Sequence, residues 1–434
     1  MESRCKDPGE DNFMRRGAVL VFLIFFLIFA ALSYIYTPEL RTDAFSHFLH
    51  SVDAVSHLKI QNIVTNVWDK PIPLIIYGVS GLAGLFFARL ASVILVLLTA
   101  YFILNLARRF IRNMEGSPAL TIVFFLLLIP VFGQTFLTMT ELPAAFVLSF
   151  GLFLFYLKRA YLPAFLAIGF LPLARVECSL MMAFLFISFS YEVFLNKRFA
   201  NNKKNLLEEF KPIFWYLVVG SSPFVLWNAG GAYFTKDVFW LLHSSYAYLR
   251  PYDLFYIIKH NAVTALPMVF TAPALSLFLI GVFSPKEKKE GAPNSLFFVS
   301  IYGILIIYLI FLSSVIPFAK GEVGWEKLIA AWNDRNFNVI APVISLFVYM
   351  GVSYIYEMFY NKRDRSINRI GRPFTIGKTV SLFIFSALLI LICPTEFPFS
   401  SSTTLYLMLL FLFAVVCFVP PLAQHITLKK MGSF

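Results

Sequence analysis

Apolar runs long enough to cross a membrane limit the fold of this chain more than any other feature. A bilayer core about 30 Å thick is crossed by about 20 apolar residues in an α-helix. Runs near that length occur twelve times, at approximately 17–36, 87–107, 118–134, 141–157, 160–175, 177–195, 212–229, 263–283, 295–317, 336–357, 379–393 and 402–420. The shorter runs need tilt or burial within a bundle. The sequence therefore predicts an all-α polytopic membrane protein, with residues 1–434 forming a single domain of about 12 transmembrane helices.

The first apolar run predicts a retained helix rather than a removable leader. It is too long for the core of a signal peptide, and it ends in Tyr-Ile-Tyr-Thr-Pro rather than at a small-residue cleavage site. Hydrophobic residues make up 59% of the chain, far above the usage of a soluble domain. The four cysteines have neither paired nor metal-type spacing, so no disulfide framework is predicted.

The basic residues predict the orientation of the chain. The formal charge is +12, but Lys and Arg lie in short runs between the apolar segments, so nucleic acid is excluded as a partner. The basic loops alternate along the chain, and basic loops are typically cytoplasmic. We expect a multi-pass plasma-membrane protein with both termini, including the tail 421–434, in the cytoplasm. The loops 37–86, 230–262 and 318–335 then lie on the extracytoplasmic face.

The first external loop, 37–86, is the one long polar interruption near the start of the chain, and we expect it to carry the active site. Helical periodicity places one stripe of side chains on a common face: Asp43, His47, His50, Ala54, His57 and Gln61. This pattern predicts an amphipathic helix on the membrane, with its opposite face against lipid or the bundle. Residues 71–86 are apolar but interrupted by prolines and glycines, which predicts a juxtamembrane or re-entrant segment that does not span.

The acids and histidines of this loop have two interpretations. Asp43, at the start of the helix, can take a proton from an incoming hydroxyl, and His47 can orient that hydroxyl or bind a metal. His47, His50 and His57 could supply ligands to a divalent metal, although no strict spacing requires one. The alternative is a solvated helix face, which applies equally to Asp53.

Two further candidates, Lys70 and Glu141, each have a structural alternative. Lys70 lies between Asp69 and Pro71, and its charge suits either a phosphate or an anchor at the membrane interface. Glu141 stands in the first turn of a helix that we expect Thr140 to cap. It either complements the helix dipole or faces the active cavity.

Arg175 and Glu177 lie in a turn between two apolar runs, where ionisable residues are costly and usually functional. The planar guanidinium of Arg175 suits phosphate oxygens. The alternative is an ion pair of Arg175 with Glu177 or Glu141. Arg335, at the outer end of the tenth apolar run, places a second arginine on the same side.

Sequence motifs of soluble nucleotide chemistry do not occur in this chain. There is no P-loop, no GxSxG, no HExxH and no Rossmann glycine pattern. Outward acids and outward cations at the mouth of a bundle instead fit transfer from a lipid-phosphate donor. An acid activates the acceptor, and cations stabilise the departing phosphate.

These segments, in this order, resemble the GT-C membrane glycosyltransferases, specifically the PMT-like and ArnT-like branch that uses polyprenyl-phosphate-linked sugars. The matching segments are Thr42-Asp43-Ala-Phe, Asp69-Lys70-Pro71-Ile-Pro73-Leu, Leu85-Phe-Phe-Ala-Arg89-Leu-Ala-Ser, Thr140-Glu141-Leu-Pro143, Ala174-Arg175-Val-Glu177 and Asp334-Arg335-Asn-Phe. The resemblance covers roughly the first 200 residues and the region of Arg335.

The resemblance implies a GT-C-like bundle with amphipathic juxtamembrane helices in the first external loop. It implies an inverting hexosyl or pentosyl transferase that moves a sugar from a polyprenyl-phosphate donor to a lipid, glycan or protein acceptor. Asp43 would be the base and Glu141 a second acid, while Lys70, Arg175 and Arg335 would bind the donor phosphate. The secondary candidates are His47, Asp53, Asp69 and Glu177. No cofactor is implied beyond a divalent metal, which stays open.

Two rival functions remain at the level of sequence. A membrane transporter or lipid flippase would have a similar number of spans, but its charges should lie near the bilayer midplane. A catalytically silent GT-C scaffold is the other rival, because the motif at Arg175 reads Arg-Val-Glu where the family pattern is Arg-Pro-Glu.

Overall fold

The protein is helical throughout the part of the chain that can be described. The computed structural model describes residues 8–35, 43–66, 69–111, 131, 135–200, 206–243, 272–283, 296–314 and 336–360, and no strand occurs among them. The predicted spans 379–393 and 402–420 lie outside these residues, as does 118–134 apart from residue 131. Arg335 also lies outside the described residues.

The helices differ widely in length. Their order begins with α1 (Pro8–Ile35), α2 (Asp43–Ser56), α3 (Ile60–Thr65), α4 (Pro71–Gly81) and α5 (Leu85–Phe110). It continues with α6 (Glu141–Leu152), a π-helical turn (Phe153–Lys158), α7 (Tyr161–Gly169), α8 (Leu171–Ala174), a 3₁₀ turn (Val176–Cys178) and α9 (Ser179–Ala200). It ends with α10 (Leu206–Thr235), α11 (Trp240–His243), α12 (Ala272–Phe283), α13 (Phe297–Ser314), a 3₁₀ turn (Asn336–Ile340) and α14 (Ala341–Tyr360).

Four described segments are long and apolar enough to cross a membrane. They are Leu85–Phe110, Glu141–Lys158, Val176–Asn196 and Phe337–Tyr354. Each coincides with a run predicted from the sequence, which confirms the membrane class of the protein. The predicted span 212–229 lies within α10, which is not among the four. The total of twelve spans stays a prediction.

Aromatic stacking holds the long helices together. The rings of Phe155 and Phe189, which join the π-helical turn to α9, lie 3.7 Å apart between centroids and are nearly parallel at 8°. Phe110 at the end of α5 stacks on Phe297 at the start of α13, with centroids 4.1 Å apart. Large apolar rings provide most of the contact area available inside a bundle, and close stacking adds to it.

Two helix crossings depend on glycine. In α7, a Cβ on Gly169 would collide with the backbone carbonyl of Gly220 in α10. In α12, a Cβ on Gly281 would collide with the backbone of Phe347 in α14. Small residues at such crossings let helix backbones approach closely, as in other membrane bundles.

The first-loop helix α2 packs against α4 rather than facing water along a whole stripe. Gly78 and Gly81 of α4 leave room for Ser51, Val52 and Val55 of α2. This is the face of α2 that was expected to lie against lipid or the bundle, whereas the alternative of a continuous solvated stripe is wrong. His47 and Ala54 are buried, while His50 and His57 are exposed.

Candidate functional site

The segment before Glu141 is fixed by hydrogen bonds from several helices. Ser92 of α5 donates to the carbonyl of Leu137 at 2.7 Å, and Tyr77 of α4 donates to the carbonyl of Met139 at 2.8 Å. Thr138 donates to the carbonyl of Ala44, next to Asp43 at the start of α2, at 2.5 Å. The start of α2 and the start of α6 are therefore held together.

The side chain of Asp43 lies outside what the structure describes, although its backbone begins α2. The bond from Thr138 to Ala44 places that backbone at the segment leading to Glu141. The two acids predicted as catalytic, 98 residues apart in the sequence, thus belong to neighbouring helix starts.

Glu141 begins α6 and is almost completely buried. Thr140 stands at the N-cap position as expected, but it makes no capping hydrogen bond. Its hydroxyl instead lies 3.4 Å from Glu141 Oε2 and accepts a bond from Arg175 Nη1 at 3.3 Å. The expectation that Thr140 caps the helix is therefore wrong, because the hydroxyl is used within the site.

Arg175 joins two carboxylates. It ends α8 in an extended conformation, and its Nη1 forms a close ion pair with Glu141. Its Nη2 donates to Glu177 Oε1 at 2.8 Å, and Glu177 Oε2 has no hydrogen-bond partner among the described residues. Both ion pairs considered as alternatives from the sequence are formed. A guanidinium with two carboxylates carries little net charge toward an anion, so a phosphate at this point would need further cations.

Lys70 belongs to the same region and has a strained backbone. Its φ is +53°, which is unusual for a residue other than glycine. Its side chain is partly buried, and burial lowers the pKa of its ammonium group while the charge of Glu177 opposes that shift. Arg175 lowers the pKa further, and Glu141 raises it. We call the group of Lys70, Glu141, Arg175 and Glu177 the ion cluster.

Asp69 is an almost completely enclosed carboxylate of the first loop. It is 1% exposed and receives a close contact from His47 Nδ1, a bond of 3.1 Å from His50 Nδ1 and a bond of 2.5 Å from Asn66 Nδ2. Its backbone N–H donates to Asn66 Oδ1 at 3.1 Å. The sequence ranked Asp69 as secondary and did not single out Asn66.

The histidines do not form one group. His57, directly after α2, has its Nδ1 3.1 Å from Asp53 Oδ1 at the exposed surface. His47 and His50 bond to Asp69 instead. Asp53 also binds Lys59 at 2.7 Å, and this bond lowers the pKa of Asp53. Across the described residues no group of three or more His, Cys, Asp or Glu is arranged to hold a metal ion. The suggestion that His47, His50 and His57 share a metal is therefore corrected, since His57 bonds to Asp53 and the other two bond to Asp69.

Sequence reasoning missed several residues that position the site: Asn66, Tyr77, Ser92 and Thr138. Tyr77 and Ser92 lie on apolar helices, where the sequence signals burial but not the partner. Asn66 carries a usable signal, because an amide three residues before an acid favours a local turn.

Comparison with known proteins yields one structural likeness. No protein-family model matches the chain, and no curated protein matches it. Among solved structures the chain is similar to the crystal structure of ArnT from Cupriavidus metallidurans in the apo state, with 16% sequence identity and a TM-score of 0.47. The match covers 79% of this chain and spans 60% of the length of that one.

Proposed function

We propose that this protein is a GT-C membrane glycosyltransferase that moves a sugar from a polyprenyl-phosphate donor to a lipid, glycan or protein acceptor on the extracytoplasmic face. The observation that carries the proposal is the convergence of Lys70, Glu141, Arg175 and Glu177, from three separate parts of the chain, beside the start of α2. The order of the sequence motifs supports the same family.

Asp43 is the proposed base. It would accept the proton of the acceptor hydroxyl while the hydroxyl oxygen attacks the anomeric carbon, and the bond from that carbon to the phosphate oxygen breaks. Glu141 is proposed to act with it, and the bond from Thr138 to Ala44, which holds the start of α2 at the segment before Glu141, supports this pairing. The departing phosphate gains negative charge, so cations are needed where it leaves.

Lys70 is the proposed first cation for that phosphate, and Arg175 and Arg335 are the further proposed cations. Arg175 is already joined to two carboxylates, so the proposed arrangement gives the larger electrostatic role to Lys70. A phosphate that approached the ion cluster would compete with Glu177 for Arg175, and Glu177 is the less buried of the two acids.

The test uses purified protein in lipid nanodiscs and a labelled polyprenyl-phosphate sugar. We expect Asp43→Asn to lower the transfer rate by about a hundredfold or more, the usual effect of losing a general base. Asp237→Asn is the matched control, because Asp237 is an exposed carboxylate whose described partners are His243 and the backbone of Phe239. Equal rates for the wild type and Asp43→Asn would remove Asp43 from the mechanism.

A catalytically silent GT-C scaffold is the second candidate, and the two ion pairs of Arg175 favour it. A guanidinium neutralised by Glu141 and Glu177 is also the arrangement expected of a purely structural cation. Donor binding without transfer, under conditions that saturate the protein with donor and with mixed membrane acceptors, would support the scaffold.

A further inference from the structure

We propose that His47, His50 and Asp69, which we name the Asp69 clamp, form a positioning device that holds the backbone at Lys70 in a strained conformation and so keeps the Lys70 ammonium group at the ion cluster. The importance of this device for catalysis rests on the proposed function, whereas the position of Lys70 can be tested without it. Neither histidine needs to touch the substrate.

The first step of the argument is the enclosure of Asp69. Two imidazoles from α2 reach its two carboxylate oxygens, one at each oxygen, and Asn66 adds a third side-chain bond. Losing one bond to a buried polar group leaves that group partly unsatisfied, which makes such enclosed contacts costly to break. Asp69 therefore connects α2 firmly to the turn that precedes α4.

The second step is the strain at the next residue. Lys70 has φ +53° and ψ +153°, and it is the N-cap of α4, directly before Pro71. Pro71 restricts Lys70 to extended ψ values, and it does not account for the positive φ. A non-glycine residue in such a region is strained and persists only where its surroundings determine its conformation from both sides. Asp69 on one side and the buried Pro71 on the other meet that condition.

The third step is where this strain directs the side chain. The charges of Glu177, Glu141 and Arg175 all act on Lys70, although these residues follow it by more than 70 positions in the sequence. With an ordinary negative φ, the Cα–Cβ bond of Lys70 would leave in a different direction from the same backbone position. The clamp thus converts contacts made by α2 into the placement of a cation at the ion cluster.

The first experiment measures the exposure of Lys70 by acylation of its amine with a water-soluble succinimidyl ester, followed by peptide mass spectrometry. Labelling of Lys70 is divided by labelling of Lys236, an exposed lysine on another helix end. We expect His50→Ala and Asp69→Asn to raise this ratio about tenfold, since one lost bond to a carboxylate shifts an opening equilibrium by about that factor.

The matched control is His57→Ala, which removes an exposed histidine directly after the same helix without touching Asp69. Its labelling ratio should equal that of the wild type. The proposal is overturned if His50→Ala and Asp69→Asn leave the ratio unchanged. It is also overturned if His57→Ala raises the ratio as much as His50→Ala does, because that result indicates general loosening of α2.

The second experiment separates positioning from simple stability by a double-mutant cycle. Binding of a fluorescent polyprenyl phosphate to the protein in nanodiscs is measured for the wild type, His50→Ala, Lys70→Met and the double variant. If the clamp acts through Lys70, His50→Ala weakens binding about tenfold when it is introduced into the wild type. In a protein that already carries Lys70→Met, the same substitution has no further effect on binding. Independent, additive losses would overturn positioning through Lys70.

The two hypotheses fail in different ways. If the wild type does not bind polyprenyl phosphate, the proposed donor is wrong and the labelling ratio alone decides on the clamp. If the wild type binds but His50→Ala binds equally well, the clamp is wrong and the proposed donor stands.

Discussion

Lys70 combines a charged side chain with a backbone conformation that suits glycine. We predict that Lys70→Gly will be more stable than Lys70→Ala by about 1 kcal/mol or more, because alanine retains the steric cost of φ +53° and glycine does not. The measurement is thermal unfolding of both variants in the same detergent. Lys59 provides the matched pair: its φ is −73°, so Lys59→Gly should be no more stable than Lys59→Ala.

The ion pairs of Arg175 allow a second prediction at the scale of residues. Arg175→Met leaves the buried Glu141 and the neighbouring Glu177 without their shared cation. Breaking a buried pair from one side costs about 3–5 kcal/mol, and we expect a destabilisation of that size. The triple variant Arg175→Met, Glu141→Gln and Glu177→Gln should recover part of the loss. Thermal unfolding measures both, and an unchanged transition in Arg175→Met would show that the pairs contribute nothing.

The sequence identified the ionisable residues of the site but not the contacts between them. Glu141, Arg175, Glu177 and Lys70 could be selected because ionisable residues between apolar runs are rare and costly. The sequence could not decide whether Arg175 pairs with Glu141 or with Glu177, because its side chain could reach either acid. The outcome depends on how α6 and α8 pack. The division of the histidines between Asp69 and Asp53 had no sequence signal either, since helical periodicity places them all on one stripe.

At the scale of elements, glycine decides how closely α7 and α10 can cross. We predict that Gly169→Ala will destabilise the protein by about 1–3 kcal/mol, because the new methyl group would meet the backbone of Gly220 and neither helix can give way easily. Gly230→Ala, also in α10, is the matched control. Its Cβ would meet only the side chain of Val64, at 3.2 Å.

Higher helix propensity should offset part of any crowding at Gly230, so that variant should unfold close to the wild type. Equal unfolding temperatures for Gly169→Ala and the wild type would contradict the close crossing. The glycines were visible in the sequence, but their partners were not, because α7 and α10 meet through residues about 50 positions apart.

Helix existence was easier to predict than helix role. The runs 87–107, 141–157, 177–195 and 336–357 correspond to described spanning segments, since a long apolar run has few alternatives to a helix in lipid. The segment after Lys70 was harder. Its prolines and glycines predicted a juxtamembrane or re-entrant segment without a defined helix, and Pro71 and Pro73 occupy the first turn of α4, where a missing N–H has no cost.

At the scale of the whole molecule, the alternation of basic loops predicts a topology. In a variant without native cysteines, Gln61→Cys should react with a membrane-impermeant maleimide in intact cells, and Lys204→Cys should react only after the membrane is permeabilised. Gln61 is exposed on α3, so its reactivity depends on the side of the membrane rather than on burial. The opposite labelling pattern would place the proposed site in the cytoplasm and contradict a lipid-linked donor on the outer face.

The hydrogen bonds of the four residues before Glu141 determine when, during synthesis of the chain, the site can form. Leu137, Thr138, Met139 and Thr140 are held by α5, α2, α4 and Arg175 in turn. A nascent chain that ends before Arg175 lacks the last of these bonds. Glu141, Lys70 and Arg175 therefore reach their final arrangement only after the turn beyond α8 has been synthesised. Synthesis itself sets the order: the bonds from α2, α4 and α5 can form first, and the bond from Arg175 is added afterwards.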